Sequence, residues 1–546
     1  MAAATALAVS WLFWASEPQA APQGAKEARS PGAIAADIDR LINTRLADAK
    51  VPASPAADDA EFLRRATLDI TGRIPSASKV SAFLANTDPD RRAKAIDELL
   101  ADSEYGDHFG NIWYHRMVKP DDDNRQLISD NLIGWLAERF NKNDGWDKIV
   151  TELITAEGDR DKNPQTVFFL AHVGADKARQ PEPDRLTAST SRLFLGVRLE
   201  CAQCHNHPFT TFKQTDFWGM AGFFSAVHSE KTDRKASKGG ADPVVLESTD
   251  AKRRKNKEAK DEPAPFGSIV IPDTKGKTVH VKFFQGEEPP VGLNTHLRST
   301  LAAWMTSPEN KYFAKAAVNK MWANFFGRGL VNPVDDMRPE FPPTHPELLD
   351  LLAKEFIDSG YNLKHLVRAI CNSQAYQRTS RPLPDNKSDE ELYSHMPLKV
   401  MSADMLYDSL QVALGHAAAE KERAKGKQQG KGAPRDPRSQ FRKFFHAEAD
   451  DDVGVVEDYT HGVPQALRLM NSPQLNDTSS RIKALVKEGG PDKLVDSLYL
   501  SILNRQPTDA ERKRCQEYVA TDKDTDRASG DLMWALINSS EFLFNH

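Results

Sequence analysis

Along most of the chain, apolar positions recur every three or four residues, the spacing of amphipathic helices. Ile34, Ile38, Leu41 and Ile42 form the first such stripe. Glu61–Ile70 reads as a second helix, closed by Gly72. Pro75 opens a third with Val80, Phe83 and Leu84 on one face, and Asp88-Pro89 caps a fourth carrying Ala93, Ile96, Leu99 and Leu100. The aromatic run from Tyr105 to Trp113 reads as core. Residues 126–154 hold two more amphipathic helices, one with Leu132 and Leu136, the other with Trp146, Ile149 and Leu153. A helix from Arg185 to Glu200, carrying Leu186, Leu193, Phe194 and Val197, delivers the chain directly to Cys201.

The period then changes. Residues 229–264 mix charges of both signs with few aromatics and read as a solvated loop or insertion. Residues 268–284 alternate, with Ile269, Ile271, Val279, Val281 and Phe283 flanking Lys275-Gly276-Lys277, which predicts a β-hairpin. Helical spacing resumes near 296. Ser307-Pro308 caps a helix through Val318, Met321, Trp322 and Phe325 to Gly327, and Thr344 with Glu347 forms a capping box for the next. Leu363, Leu366, Val367 and Ile370 mark another, and residues 402–414 one more. A Lys/Gln/Gly/Pro-rich linker covers 418–440, an acidic loop spans Glu448–Asp452, and helices continue to the C-terminus. The expected fold is mainly α: helical domains at 34–228 and 296–546, with a charged insertion and small β-hairpin at 229–295 between them. One internal likeness stands out. Arg73-Ile74-Pro75-Ser76, leading to Ser103-Glu104-Tyr105, resembles Arg505-Gln506-Pro507-Thr508, leading to Ser540-Glu541-Phe542.

Composition changes this picture little. Seventy-two basic and 78 acidic residues give no general case for nucleic acid, and the Lys252-Arg253-Arg254-Lys255 run reads as part of the solvated loop. Four cysteines are too few for a disulfide-stapled scaffold. The N-terminus adds more. Residues 2–15 are apolar and Ala-rich, ending in Trp11-Leu12-Phe13-Trp14, so residues 1–20 read as a signal peptide or an uncleaved anchor. That places the protein outside the cytoplasm, periplasmic or secreted, with membrane contact only through this segment.

The chemistry concentrates in Cys201-Ala202-Gln203-Cys204-His205-Asn206-His207-Pro208. C-x-x-C-H is the attachment signature of haem c, and composition alone would produce it with a frequency on the order of one in a thousand. In that reading Cys201 and Cys204 form thioethers and His205 ligates the haem iron. The alternative is a zinc, copper or iron ion held by Cys201, Cys204, His205 and His207, although four ligands within seven residues is tighter than usual zinc spacing. A disulfide between the two thiols is the third reading. The sixth iron ligand is not legible; Met220 and His228 lie downstream, and His108, His115 and Met117 upstream. Asp121-Asp122-Asp123 and Asp335-Asp336 read as solvated charge runs. The chain has no phosphate-binding Gly loop, no G-x-S-x-G and no H-E-x-x-H, so no hydrolytic reaction is indicated.

Two longer stretches carry a family resemblance. Phe62-Leu63-Arg64-Arg65-Ala66-Thr67-Leu68-Asp69-Ile70-Thr71-Gly72-Arg73-Ile74-Pro75 and Phe194-Leu195-Gly196-Val197 leading to the cysteine motif resemble a planctomycete-type secreted, cytochrome-like domain of unknown function. Asn319-Lys320-Met321-Trp322, Phe326-Gly327-Arg328-Gly329-Leu330-Val331, His345-Pro346-Glu347-Leu348-Leu349 and Ser373-Gln374-Ala375-Tyr376-Gln377 resemble that domain's usual planctomycete-type partner. The resemblance implies an exported, helix-rich protein; the partners expected of such a protein are other extracytoplasmic redox or cell-surface proteins. It supplies no reaction, and its cytochrome label rests on C-x-x-C-H itself.

Overall fold

The computed structural model describes residues 28–118, 130–173, 180–207, 210–231, 243–255, 264–416, 437–446, 463–471, 478–489 and 493–546. The apolar N-terminal stretch, Asp121-Asp122-Asp123, Pro208, most of the 418–440 linker and the Glu448–Asp452 loop lie outside them.

The chain is mainly α. Its first half runs through helices Pro31–Ala49 (α1), Asp59–Thr71 (α2), Ala77–Ala85 (α3), Arg91–Ala101 (α4), Ser103–Met117 (α5), Asp130–Lys142 (α6), Trp146–Ile154 (α7), Val167–Leu170 (α8), Pro183–Thr190 (α9), Gln214–Ala221 (α10) and Asp250–Lys255 (α11). The second half adds Leu297–Met305 (α12), Phe313–Phe326 (α13), Pro346–Asp358 (α14), Leu363–Asn372 (α15), Gln374–Gln377 (α16) and Ala403–Ala413 (α17). It closes with Pro437–His446 (α18), Val463–Asn471 (α19), Ser479–Gly489 (α20), Leu494–Ile502 (α21), Asp509–Thr521 (α22), Thr525–Ile537 (α23) and Ser540–Leu543 (α24).

Helix α2 is the axis of the molecule. Asp58 caps it by accepting from the Glu61 amide, Gly72 ends it in the left-handed region at φ 72°, and every residue from Glu61 to Thr71 is buried. Its two faces look into different cores. Phe62, Leu63, Ala66 and Ile70 join an apolar core that continues from Ile34 to Met396 and includes side chains from both halves. Leu68, with Ile74 just beyond, joins a second core built from Met401 to Phe542. Two buried arginines mark the same division. Arg65 donates to the Tyr376 and Arg378 carbonyls and to Glu61 at 2.6 Å. Arg64 donates to the Ile502 and Phe542 carbonyls and to Oδ1 of Asn504. A guanidinium has five donors in a rigid fork, so each arginine stitches α2 to several separate chain segments.

The internal likeness recurs as geometry. Arg73 pairs with Glu104 at 2.8 Å, and Arg505 pairs with Glu541 at 2.6 Å. Ser76 caps α3 and Thr508 caps α22, the latter with the reciprocal Glu511 bond of a capping box. The residue before each arginine, Gly72 or Asn504, has positive φ. At Gly72 a Cβ would overlap the His108 ring. Gly72→Ala is therefore expected to lose about 1–3 kcal/mol, visible as a lowered thermal midpoint.

The hairpin forms where its pattern lies. Strands Ser268–Val270 and Thr278–His280 pair antiparallel, with Ile269 opposite Val279. A three-stranded sheet also forms from Gly158–Asp159, Pro243–Glu247 and Val227–Lys231, in that order. Two of its strands fall in or against the stretch expected to be a loop. The polar outer residues Ser229, Glu230 and Lys231 hid the first, and Val244-Val245-Leu246 is too short a run to announce the second. Three expected caps also shift. Helix α4 starts at Arg91 with Asp90 as N-cap. Helix α13 starts at Phe313, after Asn310 has accepted from the Tyr312 and Phe313 amides. Helix α14 has His345 as N-cap without a side-chain bond, because the Thr344 hydroxyl donates to the Leu330 carbonyl instead.

Candidate functional site

The cysteine motif does not continue a helix. After α9 the backbone widens into one π-turn over Ser191–Leu195 and stops at Gly196, φ 65°. A Cβ at Gly196 would press on Ala316 and the Met337 sulfur, so the chain turns away there. It then makes a short 3₁₀ turn over Glu200–Ala202. The expected helix to Glu200 thus ends five residues early, and that break swings the thiols outward.

Cys201, Cys204 and His205 are exposed, while Ala202 between the thiols is fully buried and anchors the turn. The start of α10 holds the turn from the other side. Gln214 Nε2 donates to the Gln203 and Cys204 carbonyls at 3.2 and 2.8 Å, and its amide donates to Asn206 Oδ1. Trp218 Nε1 donates to the Gln203 carbonyl at 2.9 Å, and Gln203 Nε2 reaches Asp184. His205 places Nδ1 2.7 Å from the Asn206 carbonyl. Facing an acceptor, Nδ1 carries the proton, which leaves the lone pair on Nε2.

His207 takes a different place. It is 8% exposed, between the Thr210 amide, 3.1 Å from Nδ1, and Arg338 Nη1, 2.7 Å from Nε2. Both neighbours are donors. The Thr210 amide donates to Nδ1 and Arg338 Nη1 stands against Nε2, so both ring nitrogens are covered and neither is open to an incoming ion. No three of Cys201, Cys204, His205 and His207 bring ligand atoms within 4.8 Å of one another among the described residues.

Beneath the motif lies a buried charge network. Arg338 forks onto Asp336 at 2.6 and 2.5 Å, which holds its guanidinium above the ordinary arginine range. Asp335 accepts from Arg198 at 3.0 Å and faces Arg192 at 3.7 Å. Asp335-Asp336 is therefore not a solvated run; both carboxylates are buried counter-ions. Lys320 lies among these arginines and donates to the Arg192 carbonyl; burial pushes its amine down to about 7. Burial likewise pushes the Glu200 carboxyl up. Arg338, Gln214 and Trp218 carried no sequence signal for this site, and Lys320 entered only within the Asn319–Trp322 resemblance, because their partners lie far along the chain or are backbone carbonyls.

His115 pairs with Asp404 at 3.3 Å, Met117 and Met220 are buried in the first core, and His228 sits on a strand against Glu230. The ligand atoms of Glu157, Glu247 and His296 do converge within 4.8 Å. Buried Arg298 already sits on both carboxylates there, its Nη2 3.2 Å from Glu157 and its amide 3.0 Å from Glu247, so this group is the counter-charge of an arginine.

Fold and site together define a mainly α protein that presents a thiol and imidazole turn, with Arg338 and its buried counter-ion Asp336 packed against that turn. Residues 37–229 match the family described as a protein of unknown function, DUF1549 (PSCyt2), and residues 297–519 match the family described as a protein of unknown function, DUF1553 (PSD1). The chain carries this planctomycete-type pair of domains of unknown function. No curated protein and no solved structure matches it.

Proposed function

We propose that the protein is an extracytoplasmic haem c protein that transfers electrons or senses a small ligand. The observation that carries this reading is His205: its ring is exposed, with Nδ1 held on the Asn206 carbonyl and Nε2 left as the lone-pair nitrogen, on the same short turn as two exposed thiols. This donor set fits the group, because thioether attachment needs two accessible cysteines and proximal ligation needs an unprotonated imidazole nitrogen of fixed orientation. Cys201 and Cys204 would hold the macrocycle and His205 the iron; the haem would supply one-electron chemistry or a ligand-binding iron. Gln214 and Trp218 hold the carbonyls of the turn, so the thiols and imidazole keep one spacing. Partners in this reading are other extracytoplasmic redox or cell-surface proteins, and the apolar segment at 2–15 is the export signal or anchor.

The full chain should be expressed with a haem c maturation system. One covalent haem per chain by mass, with a haemochrome band in alkaline pyridine, is the expected result. Cys201→Ala with Cys204→Ala should abolish covalent attachment, and His205→Ala should alter the iron's ligand-field spectrum while attachment persists. No haemochrome band together with stoichiometric zinc or copper would replace this reading by the ion site; no band and no metal would leave a cofactor-free interaction protein.

A further inference from the structure

The motif contains two histidines, yet the fold treats them oppositely. His205 is exposed with Nδ1 on the Asn206 carbonyl, whereas His207 is buried with Nδ1 on the Thr210 amide and Nε2 against Arg338. We propose that Arg338 is the specificity-determining residue of the motif: it withholds His207 from metal ions, so that Cys-Ala-Gln-Cys-His-Asn-His offers one imidazole instead of two. The inference deepens the reading of this turn as a cofactor loop.

Arg338 suits this task because it is fixed on several sides and cannot lose its charge. Asp336, 2% exposed, receives both arms of the guanidinium fork. Phe341 stacks under it, 5.3 Å from ring centre to guanidinium carbon. The neighbouring Met337 amide donates to the Gly196 carbonyl at 2.7 Å, which ties the loop of Asp335 to Arg338 directly to the segment that leads into the motif. An arginine stays protonated at any ordinary pH, so Arg338 covers the Nε2 side of the ring permanently and repels a divalent ion arriving beside it. Two thiolates with two imidazoles form a ligand set that zinc and cobalt take readily; with His207 withheld, only Cys201, Cys204 and His205 are left to gather on an ion. Arg338 lies in the PSD1 segment and His207 in the PSCyt2 segment, so the second domain governs what the first can bind.

The test uses the full chain produced without haem maturation and titrated with Co²⁺, whose thiolate charge-transfer and d–d bands report the ligand set. Arg338→Ala should bind Co²⁺ roughly 10–100-fold more tightly than the parent chain, the range by which a group contacting a ligand changes metal affinity. Arg338→Ala combined with His207→Ala should return to the parent affinity. Arg338→Gln, which keeps the side-chain size, repeats the measurement should the alanine variant lose its circular dichroism. Equal affinity in the parent and both Arg338 variants would overturn the inference, as would tighter binding that survives loss of His207. The haemochrome assay is independent: its failure rejects the haem reading and leaves the cobalt comparison interpretable.

Discussion

Asp69→Ala should cost about 3–5 kcal/mol of folding stability, among the largest effects of any single substitution in this chain. Asp69 is 2% exposed, and three groups from separate segments converge on it. Lys399 Nζ donates to Oδ1 at 2.5 Å, Asn545 Nδ2 to the same oxygen at 2.6 Å, and the Tyr376 hydroxyl to Oδ2 at 2.8 Å. Burial first, then the Asp69 charge, pushes the Tyr376 hydroxyl well up, so it remains a donor. Lys399 also caps the end of α13 through the Asn324 and Phe325 carbonyls, and Lys399 and Asn545 are paired across the two-residue strands Lys399–Val400 and Phe544–Asn545. Removing the carboxylate leaves the Lys399 ammonium on two carbonyls with no counter-charge, takes the acceptor from the Tyr376 hydroxyl and the Asn545 amide, and loosens the seam between the two cores. Denaturant unfolding of the full chain measures the loss. Adding Lys399→Met to Asp69→Ala should recover part of it, because the stranded charge dominates the penalty. A loss below about 1 kcal/mol, the value of a single neutral hydrogen bond, would mean that the network adds no more than an ordinary contact.

Much of this frame was legible because its signals are local. The stripe at Ile34, Ile38 and Ile42 points into the first core as its spacing requires, and Thr508 with Glu511 forms the capping box its sequence spells. The hairpin forms within the stretch where its alternation lies. What was hidden depends on distant partners. Nothing near Asp335-Asp336 tells a reader that arginines at 192, 198 and 338 neutralise them, so the pair read as a surface run. The π-turn before Gly196 looks like ordinary helix because Leu193, Phe194 and Val197 keep helical spacing, while it ends at the left-handed Gly196, where Ala316 and Met337 leave little room for a Cβ. The motif itself is contiguous and was found at once. The opposite fates of its histidines were not readable, since His207 and Arg338 are 131 residues apart.

Asp404→Asn should lose about 3–5 kcal/mol at neutral pH and flatten the acid limb of the stability curve. Asp404 stands at the start of α17, where α5 and α18 meet. His115 Nε2 lies 3.3 Å from one of its oxygens, Arg438 Nε 3.1 Å from the other, and Arg442 3.8 Å away. Arg438 also reaches Asp408 at 2.6 Å, and Phe441 packs on Tyr407, so α18 is fastened by both charge and ring contacts. Burial alone would raise the Asp404 carboxyl, but Arg438, His115 and Arg442 outweigh it and hold the group far below the usual carboxylate range. The sign follows from linkage. A carboxyl whose folded pKa is depressed contributes stability that is complete above its unfolded value, near 4, and that drains away as pH falls toward the folded one. The gap between the parent and Asp404→Asn should therefore be widest at neutral pH and narrow progressively below about pH 4. The asparagine keeps the shape and removes only the charge, so a pH-independent gap would assign the loss to packing. Hydrogen exchange locates the effect: amides of α18 should lose protection first in the variant, because Asp404 is the anion that Arg438 and Arg442 share.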